Sequence, residues 1–142
     1  MPQGLIQPAN AILYAGTPTY LEFEVKTIGE MIPGRLVIHD TNEYDIKVCT
    51  TGATTALGVL DVEPGELRTS NYDASDQARV ITGDCVVLMT KDSGAAVAVG
   101  AKLIPANSGM VQGGTTTGAV IGYALQAVAK ETKAELLVKL QL

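Results

Sequence analysis

Between Gly83 and Gly122 the chain reads GDCVVLMTKDSGAAVAVGAKLIPANSGMVQGGTTTGAVIG, short apolar runs broken by turn residues. Residues 85–90 run into Asp92-Ser93-Gly94, and residues 101–104 into Pro105-Ala106-Asn107-Ser108-Gly109. Gly113-Gly114 and three threonines then precede the apolar residues 119–128. Runs this short, bounded by Gly, Pro, Asn and Asp, predict buried strands joined by tight turns. The glycines match neither a phosphate loop nor a dinucleotide fingerprint, and Gly113-Gly114-Thr115 reads as a flexible hairpin connection.

The flanking segments carry the same period of two. In residues 20–28, YLEFEVKTI, Leu21, Phe23 and Val25 alternate with Tyr20, Glu22, Glu24 and Lys26, the pattern of a half-buried strand. Pro33-Gly34 turns the chain, residues 35–39 form a short strand and residues 40–43 the next turn. Over residues 44–49, Tyr44, Ile46 and Val48 are expected inward, with Asp45 and Lys47 outward. Residues 56–62, ALGVLDV, are apolar on both sides and central. Residues 63–76, EPGELRTSNYDASD, form a long polar loop, with room for one helical turn after Pro64; loops of this length in compact domains tend to be functional or mobile. Residues 77–81 and 85–90 read as two strands around a tight turn at Thr82-Gly83-Asp84. At the end, Leu136, Val138, Leu140 and Leu142 face one way, with Glu135, Lys139 and Gln141 the other. A helix over residues 120–140 competes on propensity, but the strict alternation favours a strand. About ten short strands at this spacing predict an all-β fold, a compact small barrel or sandwich.

Residues 1–19 differ in character. Pro2, Pro8 and Pro18 punctuate apolar residues that have no sustained period, and no charge precedes Glu22. Proline blocks helix continuation and removes a backbone donor, so this segment reads as an extended N-terminal arm. The expected organisation is an arm over residues 1–19 and a single β domain over residues 20–142. The arm is a candidate binding element, with an ordinary edge strand and frayed terminus as the alternative.

Composition narrows the function classes. A chain of 142 residues is long enough to bury a core without disulfides or metal. The net charge of −5, with its ten Lys and Arg scattered, argues against a nucleic-acid partner. No apolar run approaches the length of a membrane span. The first residues lack the positive charge of a signal peptide, so synthesis in a cytoplasm is expected. Charged residues are only 18% of the chain, which suits a β domain whose faces meet partners. Cys49 and Cys85 sit in apolar contexts without C-x-x-C spacing and read as small buried hydrophobes; a disulfide or metal site is the minor alternative.

No catalytic constellation emerges. His39 is the one histidine, and its place beside Asp40 suggests a surface turn. The segment from Asp40 to Asp45 partly imitates a calcium loop, but Asp45 stands where the sharp-turn Gly belongs and Thr51 where the bidentate Glu belongs. Asp73 and Asp76 beside Tyr72 offer a carboxylate pair, or solvated loop residues. No catalytic group, metal or cofactor is assigned.

Several segments together resemble the small capsid decoration, or cement, proteins of tailed phages and prophages. They are ALGVLD (56–61), VITGDCV (80–86), AAVAVGAKL (95–103), NSGMVQGG (107–114) and AVIGYALQA (119–127). The resemblance implies a β-tulip-like domain without enzymatic activity. It would bind the major capsid protein on the outside of an expanded icosahedral head, as a homotrimer at local threefold positions in the virion. It also implies that the arm is the shell contact, through Pro2, Leu5, Ile6, Pro8, Ile12, Leu13 and Tyr14; this carry-over rests on position and character, since the first 30 residues depart from the family pattern. No small-molecule substrate is implied. Two other classes stay open: a ligand- or glycan-binding β-module, which would need an aromatic-lined groove, and a hydrolase, which would need His39.

Overall fold

The computed structural model describes residues 11–26, 29–114 and 119–142. Their regular structure is all β, apart from one 3-10 turn at Asn107–Gly109. The strands are β1 (Leu13–Val25), β2 (Leu36–His39), β3 (Asp45–Val48), β4 (Gly58–Leu60), β5 (Gln77–Lys91), β6 (Lys102–Pro105), β7 (Val111–Gly113), β8 (Gly122–Ala124) and β9 (Ala134–Gln141). They form one sheet in the order β1-β3-β2-β4-β5-β7-β6-β8-β9, with further pairings of β1 with β5 and of β5 with β9. Those two pairings close the sheet twice. One circuit runs β1, β3, β2, β4, β5; the other runs β5, β7, β6, β8, β9. The long strand β5 belongs to both.

Each circuit encloses its own core. The smaller core holds Val25, Met31, Val37, Ile46, Leu60, Tyr72, Ala78 and Val80. The larger includes Val87 and Met89 of β5, Leu103 of β6, Val111 of β7 and Leu136, Val138 and Leu140 of β9. β5 serves both by changing its buried face. Ala78 and Val80 point into the smaller core, whereas Ile81, Cys85, Val87 and Met89 point into the larger. At the crossover Val80 and Ile81 are adjacent and both fully buried. The neighbouring strands repeat the doublet: Leu36-Val37 of β2 and Val59-Leu60 of β4 each send one side chain to each core. The first circuit therefore turns its outer face onto the second core. Burying each such side chain is worth about 1.5–3 kcal/mol.

The backbone must come close for this arrangement. A Cβ on Gly58 would lie 2.4 Å from the Ile81 carbonyl oxygen and 2.7 Å from a methyl of Val80, so β4 lies against β5 only because residue 58 has no side chain. Gly83, with φ +92°, sits inside β5 rather than at a turn. The expected division into strands 77–81 and 85–90 is thus corrected to one continuous strand. Pairing continues across Thr82-Gly83-Asp84, because β1 matches these residues with Thr19, Pro18 and Thr17. The glycine bends the strand without ending it.

Other expectations change in detail. The boundary placed before Tyr20 falls inside β1, which starts at Leu13. Around β3 the parity is partly reversed: Tyr44, just before the strand, is exposed, while Asp45 is buried. The Asp45 carboxylate accepts from Thr41 Oγ1 at 3.1 Å and lies 3.6 Å from Lys26 Nζ, so polar partners offset its burial. Residues 113–115 do not join a hairpin, since β6 lies between β7 and β8; Thr115 is outside the described residues. The hairpin is β6–β7, closed by the 3-10 turn. The apolar stretch 119–128 yields only the short β8, and Pro64 is followed by turns without helix. The strand at the C-terminus is as expected, with Leu136, Val138 and Leu140 fully buried.

Both cysteines are free thiols in the larger core. Burial pushes the Cys49 thiol from 9.0 up to about 12. An acid whose folded pKa is raised contributes stability that is whole below its unfolded pKa and lost as pH rises. Between about pH 9 and pH 12 this one group should lower stability by about 1.4 kcal/mol per pH unit. Denaturant unfolding of the parent and of Cys49→Ala should diverge in slope across that window; parallel pH profiles would refute it. Gly58→Ala should lower stability by about 1–3 kcal/mol through overpacking. An unchanged urea midpoint would show that β4 can move away from β5.

Candidate interaction surface

From Ala15 to Glu24, β1 pairs with β5 in unbroken antiparallel register. On its other side β3 pairs only with Glu24 and Val25. Among the described residues, no strand pairs with the outer edge between Tyr14 and Phe23. The direction of the edge groups follows from the ladder. Gly83 N–H donates to the Leu142 carbonyl at 2.9 Å, away from β1, which makes Pro18–Gly83 a pair without mutual hydrogen bonds. The peptide groups of Gly16, Pro18, Tyr20 and Glu22 then point outward. Glu24, of the same parity, confirms the direction: its N–H donates outward to the Tyr44 carbonyl at 2.8 Å. Pro18 fits because it needs a donor on neither side. Tyr14 and Tyr20, 47% and 43% exposed, flank this open edge.

A polar chain ties the edge to the long loop. The Arg79 guanidinium lies 4.5 Å from the centre of the Tyr20 ring. Its Nε and Nη2 both reach Asp61 Oδ2, at 2.8 and 2.7 Å. Asp61 Oδ1 accepts from Val62 N–H at 2.8 Å, so both carboxylate oxygens are engaged. Beneath them the buried Tyr72 hydroxyl donates to the Asp61 carbonyl at 2.6 Å. Burial, then the Asp61 and Glu63 charges, raise the Tyr72 pKa; hydrogen bonding to Asp61 raises that of Arg79. Both groups keep their protons at neutral pH. Arg79 is half exposed, so its ion pair is worth roughly 0.5–1 kcal/mol and serves mainly to orient the guanidinium. Beside it opens a cleft of about 420 Å³ whose rim carries Glu63 and Glu66. Loss of solvation, then the Asp76 and Glu66 charges, raise the Glu63 pKa.

The residues named from sequence are distributed differently from the arm expected. Pro2, Leu5, Ile6 and Pro8 lie outside the described residues. Ile12 is 1% exposed, belongs to the larger core, and its carbonyl accepts from Leu88 N–H at 2.9 Å. Leu13 opens β1 and packs against the same core. Tyr14 alone of the described members presents a largely open side chain. His39 is at the surface, its ring edge-on to Phe23 at 5.6 Å. Asp76 Oδ2 accepts from Asp73 N–H at 2.8 Å, a local turn contact. Among the described residues, no group of three or more His, Cys, Asp or Glu could hold a metal ion. Sequence reasoning missed Arg79 and Asp61 as partners, although Tyr20 on the polar face of YLEFEV was a usable signal.

Neither a protein-family model nor a curated protein matches the sequence. Among solved structures, the head fiber gp8.5 N base of bacteriophage phi29 superposes with a TM-score of 0.55 at 14% identity, covering 89% of this chain and 98% of that one. The chain shares its fold with a phage head fibre base. At this identity the likeness concerns the backbone, and it spans nearly the whole of the other chain.

Amide hydrogen exchange tests the open edge directly. In the isolated chain, the amides of Tyr20 and Glu22 should exchange much faster than those of Thr19 and Leu21, which donate toward β5. Equal protection along β1 would show that the edge is already covered.

Proposed function

We propose that this chain is a non-enzymatic structural protein of a tailed-phage head. It binds the major capsid protein on the outer surface of the expanded shell, as a homotrimer at local threefold positions, in the manner of β-tulip-like cement proteins. The fold shared with a phage head fibre base, over 98% of that chain, is the observation that carries this reading. The open edge of β1 supports it. An extended segment of a capsid subunit can take up the outward peptide groups of Gly16, Tyr20 and Glu22, and Tyr14 and Tyr20 supply flanking contact area. Binding the assembled shell and not its separate subunits stabilises the shell by mass action, and symmetry repeats the gain. The cleft beside Arg79 has no aromatic ring in its lining, which favours this reading over a glycan-binding module.

Co-sedimentation with expanded, undecorated heads of the source phage tests the proposal. Saturable binding that raises the temperature of head breakage is expected. Tyr14→Lys should weaken it by about tenfold while leaving the unfolding midpoint unchanged. No binding to expanded or unexpanded heads would overturn the proposal.

A further inference from the structure

A second cleft, of about 410 Å³, lies where the loop before β2, the long polar loop, the end of β5 and the start of β9 meet. Three of the chain's ten basic side chains line it: Arg35, Arg68 and Lys133. Thr69 and Thr90 line it as well. This concentration of cations stands out in a protein of net charge −5.

Arg35 forms the floor and is 5% exposed. Its Nη1 donates to the Ser108 carbonyl at 2.7 Å and to Glu30 Oε2 at 3.1 Å. Its Nε is enclosed and has no hydrogen-bond partner among the described residues. A buried guanidinium with an unpaired N–H, whose one carboxylate partner is half exposed, is incompletely compensated. Behind the rim, Lys91 is fully buried, and its ammonium donates to the carbonyl oxygens of Asp92 and Thr132 at 2.7 and 3.0 Å. These bonds hold the turn that carries Lys133.

We propose that this cleft binds a carboxylate group. Arg68 pairs there with the carboxylate of Glu135, which also lines the cleft, so an incoming carboxylate would share or displace that partner. Ile32, Pro33 and Ala134 provide apolar walls suited to the methylenes or methyl groups that flank a carboxylate in a peptide. The lining contains no glycine and no helix N-terminus, so it lacks the backbone-amide cradle typical of phosphate sites. The carboxylate belongs either to an acidic side chain or to a polypeptide C-terminus. The site does not depend on attachment to a shell.

Titrating the full ¹⁵N-labelled chain with short blocked peptides tests this site. One peptide carries an internal glutamate and an amidated end, one has only a free C-terminal carboxylate, and one is the neutral glutamine counterpart. Saturable shifts confined to the amides of Thr69, Thr90, Lys133 and Ala134, with at least one carboxylate peptide and not with the glutamine peptide, are expected. The peptide that binds identifies the source. Lys133→Glu and Arg68→Gln should each weaken binding by about tenfold while keeping the unfolding midpoint. Equal shifts with the glutamine peptide, no saturable shift, binding of inorganic phosphate alone, or full affinity in both variants would overturn the proposal.

Discussion

The structure depends on a single strand having two buried faces in succession. β5 gives its even positions to one core as far as Val80 and its odd positions to the other from Ile81 onward. A strand can do this only where side chains of both parities find cover, and the doublets Leu36-Val37 and Val59-Leu60 supply it from the neighbouring strands. The double closure of the sheet follows, because β1 and β9 each return to β5. Closure in turn removes most free edges, and the outer side of β1 is the notable stretch left without a strand among the described residues. The candidate interaction surface is therefore what remains of a sheet that has otherwise used up its edges.

Much of this was legible from the chain. Alternation in residues 20–26 and 134–142 located β1 and β9, since each has one face on a core and a single period to show. Apolar residues on both sides of β4 marked it as central. What was lost were the places where distant segments decide. Gly83 looked like a turn because glycine with positive φ usually makes one, yet β1 holds residues on both sides of it in register. Asp45 looked outward because nothing local shows that Lys26 and Thr41 would meet it. The prolines of the first segment suggested an arm, but Pro18 is tolerated as a strand residue on an open edge. Ile12 carries no local mark of its place in the core.

The same limit applies to the sites. Tyr20 was visible as an aromatic on a polar face, but its contact with Arg79 requires the pairing of β1 with β5. The polar loop of residues 63–76 stood out in the sequence for its length and for Asp73 and Asp76, not for Glu63, Glu66 or Arg68. In the structure Glu63 and Glu66 rim one cleft and Arg68 and Thr69 line the other, with Tyr72 anchoring the loop between them. One loop thus places two carboxylates at one opening and a guanidinium at another, a polarity that net charge and composition cannot convey.

The pairing of β1 with β5 joins Leu13 to Val87 and Glu24 to Gln77, segments separated by three intervening strands. Little of this ladder can form before most of the chain has emerged, and its loop-closure entropy must be met before its contacts contribute. Topologies dominated by such distant pairings fold on the order of milliseconds to seconds. Until β5 is in place, both cores lack a wall and the apolar doublets lie open. The stretch of synthesis between β4 and the end of β5 is then the interval in which this chain is most exposed to misassociation.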